Sequence, residues 1–186
     1  MFCDTSLDQQ ARESVPDVQT TVEVDVSSGE VASCPAGGVL HAGGIGSCVV
    51  VSAWDAVAVV GGMAHVMLPG VALHADRADR LRYAGDALDV LRRQMASLDA
   101  DLTRAVVTLV GGADVLQDGH GSPGLEIVRS LTRLLAAVGL RATATSVGGT
   151  QRRSCSLDVA RGRMACAVGD AGATTLWRPE SGEPAA

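Results

Sequence analysis

Lysine is absent from this chain. All 15 basic residues are arginine, set against 21 acidic ones, which gives a formal net charge of −6 and an isoelectric point near 5.1. Aromatics are nearly as scarce: Phe2, Trp54, Tyr83 and Trp177 are the whole set. Nucleic-acid binding draws on basic stripes to neutralise phosphates and on aromatic faces to stack bases. An acidic chain poor in both is a weak fit for that class. No apolar run approaches the ~18 residues that a membrane-crossing helix needs. The opening stretch MFCDTSLDQQARESVPD lacks the basic-then-apolar order of a secretory signal, which points to the cytoplasm. There the five cysteines (Cys3, Cys34, Cys48, Cys155, Cys166) are expected to be reduced thiols. No two of them have C-x-x-C spacing, and the four histidines (His41, His65, His74, His120) form no H-E-x-x-H pattern. Neither a metal nor another cofactor is therefore expected.

With aromatics so few, a core must come from Val, Leu, Ala and Met. Hydrophobic residues reach 47% of the 186, and the length suits one domain. Residues 1–20 are polar and read as a flexible leader, 21–170 as the domain, and 171–186, with Pro, Gly, Ser and Glu, as a flexible tail. TTVEVDV (Thr20 to Val26) alternates like a half-buried strand, and SSGE then turns the chain. GSCVVVSAW and AVAVVGGMAHVML are two further β-rich runs, with Gly61 and Gly62 marking a bend or bulge.

Leu81, Ala84, Leu88, Leu91, Met95 and Leu98 recur at helical steps, with Arg80, Asp86, Arg92 and Arg93 largely off that stripe. AVVTLV is a buried strand ending at GGAD. A second helix has Ser122 and Pro123 at its start, an apolar stripe of Leu125, Val128, Leu131, Leu135 and Val138, and Gly139 as its stop. RATATSV, SCSLDV and MACAV read as three more strands. Strands thus cluster at both ends of the chain around two long helices. That order predicts an α+β fold with two β-sheet layers and the helices covering one face, not a doubly wound sheet.

Cys48 is the sharpest candidate for chemistry. Left to itself, a free cysteine is most often a small buried hydrophobe. In AGGIGSCVVV, however, it follows Gly43, Gly44 and Gly46, which permit a tight turn and leave room at the thiol. Backbone N–H groups around Gly44, Gly46 and Ser47 could then serve as an oxyanion hole. The run has neither the spacing nor the lysine of a phosphate-binding P-loop. His65 is the second candidate. A strand through GGMAHVML puts Met63, His65 and Met67 on one face and Ala64, Val66 and Leu68 on the other. The plain alternative is a core histidine satisfied by a backbone group; the functional one is a base for the Cys48 proton.

His41, His74 and His120 read as surface groups in loops. Cys155 and Cys166 read as strand packing, Cys34 lies in a turn-rich connection, and Asp55 starts a turn. The arginines of SVGGTQRR (Ser146 to Arg153) either touch an acidic partner or lie in a solvated turn.

Four blocks in this order, GIGSCVVV, GGMAHVMLP with its histidine 17 residues after the cysteine, VGGA and VGGTQRR, resemble the chemoreceptor glutamine deamidases of the CheD family. The resemblance runs from about Val22 to Val168. It implies a layered α/β/β sandwich carrying a Cys–His hydrolase site, with Cys48 as nucleophile and His65 as base. The implied activity is conversion of specific glutamines on the cytoplasmic helical domain of chemotaxis receptors to glutamates. Some members also hydrolyse glutamyl methyl esters, and many bind a CheC-type CheY-phosphate phosphatase.

The chain departs from the family pattern at several places. The family has a threonine six residues before the cysteine, where this chain has Ala42. It often has Ile-Gly-x-Arg-Asn before the second long helix, where this chain reads HGSPG. Its Asp before VGG is Ser146, and its Gly between VGG and the basic residue is Arg152. A chain altered at these points could instead act as a docking module on receptors or the phosphatase. The site is expected to be a shallow groove, with Leu68 to Asp79 forming one wall.

Overall fold

A computed structural model describes residues 21–73, 77–117 and 122–180. The proposed leader and the histidines His74 and His120 lie outside the described residues. In chain order the elements are β1 (Val22–Asp25), β2 (Val31–Pro35), β3 (Gly38–Ile45), β4 (Val49–Asp55), β5 (Val60–Val66), α1 (Arg77–Arg80), α2 (Ala84–Ala96), a 3-10 turn (Leu102–Arg104), β6 (Val106–Gly111), α3 (Pro123–Ala137), β7 (Ala142–Val147), β8 (Arg153–Asp158), β9 (Arg163–Val168) and β10 (Thr174–Trp177). They form an α+β fold with two five-stranded sheets, ordered β1-β3-β8-β9-β10 and β2-β5-β4-β6-β7. Most pairings are antiparallel. The exceptions are β1 with β3 and β6 with β7, both parallel.

Strand alternation sorts the apolar residues of the second sheet into two clusters. Val49, Val51, Ala53, Ala64, Val66, Val107 and Leu109 gather with Leu91 and Met95 of α2 and with Ile127, Leu131 and Leu135 of α3. Val50, Met63 and Val110 point the other way and gather with Leu40, Ala42, Cys155, Leu157 and Met164 of the first sheet. Each fully buried Leu, Ile or Met contributes roughly 1.5–3 kcal/mol, so aliphatics on both faces of one sheet replace the missing aromatics.

Several expectations change. Gly61 and Gly62 make no bend: β5 runs through them in unbroken register with β4. A Cβ on Gly61 would lie 2.5 Å from Val159, and one on Gly62 2.5 Å from Leu91, so close packing on both faces requires them. Cys34 lies on β2 opposite Gly61, buried, and His41 lies on β3 rather than in a loop. Within the expected tail, Thr174–Trp177 forms β10 on the edge of β9, and the Trp177 ring sits 5.8 Å from that of Trp54. On α3 the buried stripe is Gly124, Ile127, Leu131 and Leu135, while Leu125 and Val138 are exposed. Its ends follow the sequence reading: the Ser122 hydroxyl accepts from the Leu125 N–H, and Gly139 adopts φ 79° just beyond the last turn.

Candidate active site

Cys48 closes the short turn Gly46–Ser47–Cys48 between β3 and β4. The turn is held from outside by the residues that follow β6. The Gly112 N–H donates to the Cys48 carbonyl (2.8 Å) and the Ala113 N–H to the Gly46 carbonyl (2.9 Å). Gly111 has φ 121°, and a Cβ there would drive into the Cys48 carbonyl oxygen. A Cβ on Gly124, in the first turn of α3, would lie 2.5 Å from the Gly112 Cα, so helix and loop meet backbone to backbone. The second VGG run joins the same clamp: the Gly148 N–H donates to the Gly111 carbonyl, and the Asp114 N–H to the Gly149 carbonyl. The first glycine motif is thus accounted for by close approach, the second by left-handed backbone at Gly148 (φ 76°) and Gly149 (φ 68°). The carbonyls of Gly46 and Cys48 are taken. Among the described residues no acceptor takes the N–H of Gly46, Ser47 or Cys48, which leaves them for an incoming oxyanion.

His65 lies on β5, paired with Val50 of β4. Its own N–H donates to the Glu30 carbonyl (2.9 Å), and its carbonyl accepts from Gly29 (2.8 Å). Both backbone groups therefore face away from β4, which makes Val50–His65 a non-hydrogen-bonded pair with side chains close together. The side chain shares the inter-sheet face with Met63, as the alternation predicts. Cys48, two residues before Val50, packs against the same inter-sheet cluster. Continued one residue past Val49, this register sets Cys48 diagonal to His65 across the β4–β5 pair, and among the described residues the ring's own hydrogen-bond partners are Val26 and Ser28.

The imidazole is 2% exposed. Its Nδ1 lies 3.1 Å from the Val26 carbonyl and its Nε2 3.4 Å from the Ser28 hydroxyl. A carbonyl can only accept, so Nδ1 carries the proton and Nε2 offers its lone pair toward Ser28. Burial pushes the proton affinity of His65 below the ordinary 6.5, and the Val26 hydrogen bond and the Glu30 charge pull it only part of the way back. Near pH 7 the ring is therefore a neutral base. The SSGE turn, legible in the sequence only as a turn, supplies most of this cradle.

A cavity of about 410 Å³ opens over the thiol, with Ser28, Gly44, Gly46, Ser47 and Cys48 on one side and Ala113–Leu116, Pro123 and Arg152 on the other. Of the expected wall from Leu68 to Asp79, no described residue lines this cavity. The described part of that loop follows the helices instead, with the Gly70 N–H donating to Ser130 of α3 and the Ala72 N–H to Asp86 of α2. Ala42 is buried in the inter-sheet cluster and carries no hydroxyl. The two arginines of TQRR divide. Arg152 lines the cavity, whereas Arg153 is buried and donates to the Ser146 hydroxyl (3.0 Å) and the Gln151 carbonyl. Cys155 lies opposite Cys166, buried, and burial followed by the neighbouring thiol pushes its pKa up to about 12, the environment of a packing residue. His41 borders a different cavity with Glu23 and Asp25. Among the described residues no group of three or more His, Cys, Asp or Glu side chains could hold a metal ion. No described helix is long and apolar enough to cross a membrane.

A half-buried thiol in a clamped glycine turn, with a neutral imidazole on the neighbouring strand, has the parts for nucleophilic attack on an acyl carbon. Comparison with known proteins agrees in class. The family model described as CheD chemotactic sensory transduction matches residues 67–168. A probable chemoreceptor glutamine deamidase CheD of Chlorobium luteolum is 36% identical over 144 residues, 77% of this chain and 72% of the relative. One of Pyrococcus abyssi is 31% identical over 77% of this chain and 90% of its own length. The chemoreceptor glutamine deamidase CheD of Thermotoga maritima is 31% identical over 75% and 87%. The chain belongs to the CheD family.

Proposed function

We propose that this chain is a chemoreceptor glutamine deamidase working in the cytoplasm, with Cys48 as nucleophile and His65 as base in a layered α/β/β cysteine-hydrolase fold. The carrying observation is the register that sets His65 opposite Val50, two residues after Cys48, with Cys48 lining an open cavity. In the first step the thiol proton passes to His65, and sulfur attacks the side-chain carboxamide carbon of a receptor glutamine. The N–H groups of Gly46, Ser47 and Cys48 hold the oxyanion. The imidazolium returns its proton to nitrogen, ammonia leaves, and a thioester remains. Water, deprotonated by the same imidazole, attacks the thioester; glutamate forms and the thiolate departs. A glutamyl methyl ester fits the same steps with methanol in place of ammonia.

The substrate glutamine lies on the receptor's cytoplasmic helical domain, so only a side chain has to enter. The cavity wall carrying Leu116, which is 82% exposed, offers an apolar contact beside that entry. The test is ammonia release from a receptor cytoplasmic fragment. Wild type is expected to release it and Cys48→Ala to lose on the order of 10⁴-fold or more, as removal of a covalent nucleophile does. Equal rates would leave the docking reading, favoured by the missing hydroxyl at Ala42, as the better one.

A further inference from the structure

The family's third position is empty of hydroxyl at Ala42, yet a hydroxyl does reach the imidazole. We propose that Ser28 bridges Cys48 and His65, positioning the base and carrying the proton between thiol and ring. The proposal rests on the Cys48–His65 reading above.

Ser28 is the described residue that both lines the Cys48 cavity and contacts the His65 ring. His65 itself does not line the cavity and is almost wholly buried. With Nδ1 engaged by the Val26 carbonyl, only Nε2 is free to exchange a proton, and Ser28 Oγ stands 3.4 Å from it. That is long for an O–H···N bond, but catalytic contacts commonly shorten once substrate closes the site.

The turn that carries Ser28 is fixed to His65 itself. The Gly29 N–H donates to the His65 carbonyl, and the Glu30 carbonyl accepts from the His65 N–H. The turn is closed by the Glu30 N–H on the Ser27 carbonyl (3.0 Å) and by the Ser27 N–H on the Glu30 carboxylate (2.9 Å). Gly29, at φ 81°, supplies the left-handed residue such a turn needs. Other hydroxyl or imidazole substitutes are less well placed. Ser47 makes no hydrogen bond to the ring, and His41 Nε2 faces Glu23 at 3.9 Å beside the other cavity.

The transfer balances. The Ser28 O–H proton moves to Nε2 as the thiol proton moves to Ser28 Oγ. The products are a thiolate, an imidazolium and an unchanged serine. The imidazolium N–H then donates to Oγ, and the serine O–H donates to sulfur, so the hydroxyl also stabilises the ion pair it helps form.

The test follows the rate of Cys48 alkylation by iodoacetamide from pH 5 to 9, with the labelled peptide identified by mass. It compares wild type, Ser28→Ala, Ser28→Thr and His65→Gln, each checked for native circular dichroism. Ser28→Ala is expected to react ~10- to 100-fold more slowly at neutral pH, at the lower end of acid–base contributions. Its profile should move toward that of His65→Gln, and Ser28→Thr should restore the wild-type profile. A Ser28→Ala profile coincident with wild type, or a loss that Thr does not restore, overturns the proposal. Alkylation needs no receptor, so this result stands apart from the ammonia assay: unchanged ammonia release by Cys48→Ala would sink the deamidase reading while the thiol profile still decides the bridge.

Discussion

Strand β4 begins just after a thiol and ends at a carboxylate, and its two ends are built on opposite principles. At the Cys48 end, polar groups are left open: turn N–H groups without acceptors among the described residues, an imidazole lone pair, and a cavity above them. At the Asp55 end the buried charge is answered. Asp55 is wholly buried and takes Arg104 through both guanidinium Nε (3.0 Å) and the terminal nitrogen (2.7 Å). It also accepts from the N–H groups of Asp101, Val57 and Ala58. Burial alone would raise its pKa, but these partners together hold the carboxyl below its ordinary value. Nearby, Trp54 donates its indole N–H to the Val159 carbonyl and packs on Trp177. One strand thus has a satisfied end that anchors it and an unsatisfied end that can react, as expected where stability and chemistry are assigned to different places.

The contrast breaks most sharply at Gly111. Gly111→Ala forces a side chain into the Cys48 carbonyl and a strained φ, and it should displace the turn rather than unravel the sheet. Ammonia release should fall ~100-fold, the cost of misplacing a reacting group by about 1 Å. Gly172→Ala, where a Cβ meets nothing within 4 Å, is the matched control and should leave the rate alone. Equal rates for the two variants would mean that the turn is not held by this contact.

At the other end the effect should be on stability and not on rate. Asp55→Ala removes the charged hydrogen bonds of Arg104 and those of three backbone N–H groups. Arg104 is 42% exposed and can rehydrate, so the loss should be about 2–3 kcal/mol, short of that for a fully buried pair. For a chain of this size that lowers Tm by roughly 5–10 °C. The activity per folded molecule should stay at the wild-type level. A drop in kcat at a temperature where the variant is folded would show that the two ends are coupled.

What the sequence discloses follows the same division. Cys48 and His65 stand out because local pattern isolates them: glycines before one, strict alternation around the other. The residues that serve them do not. Ser28 sits in SSGE, which signals a turn and nothing more, and its contact lies 37 positions away in the chain. The Val26 carbonyl has no side-chain signature at all. β2 and β3 carry no strand signal because VASCPAGGVLHAGG is diluted by glycine and proline; their stability comes from β5 and β8, far along the chain. β10 is short and half polar, but Trp177, one of only four aromatics, placed in an otherwise polar tail, was a signal that the tail packs. On α3 the apolar pattern points to the wrong phase because Gly124 counts as nothing in it, although its contact with Gly112 sets which face turns inward.

The smallest effect tests the resting charge of the open end. Because the folded ring binds a proton more weakly than the ordinary 6.5, the unfolded chain takes up a proton in that window that the folded chain refuses. Stability should therefore be full above about pH 7.5, fall as pH drops through 6.5, and level off below the folded value. Val26 and Glu30 offset part of this loss. Urea unfolding of wild type and His65→Gln between pH 5 and 8 isolates it, since the carboxylates and the other histidines are common to both and cancel in the difference. The variant should lack the acid-side decline. A difference of the opposite sign would mean that folded His65 holds its proton more tightly than the unfolded chain does. The site would then rest as a thiolate–imidazolium pair rather than as a neutral base waiting behind Ser28.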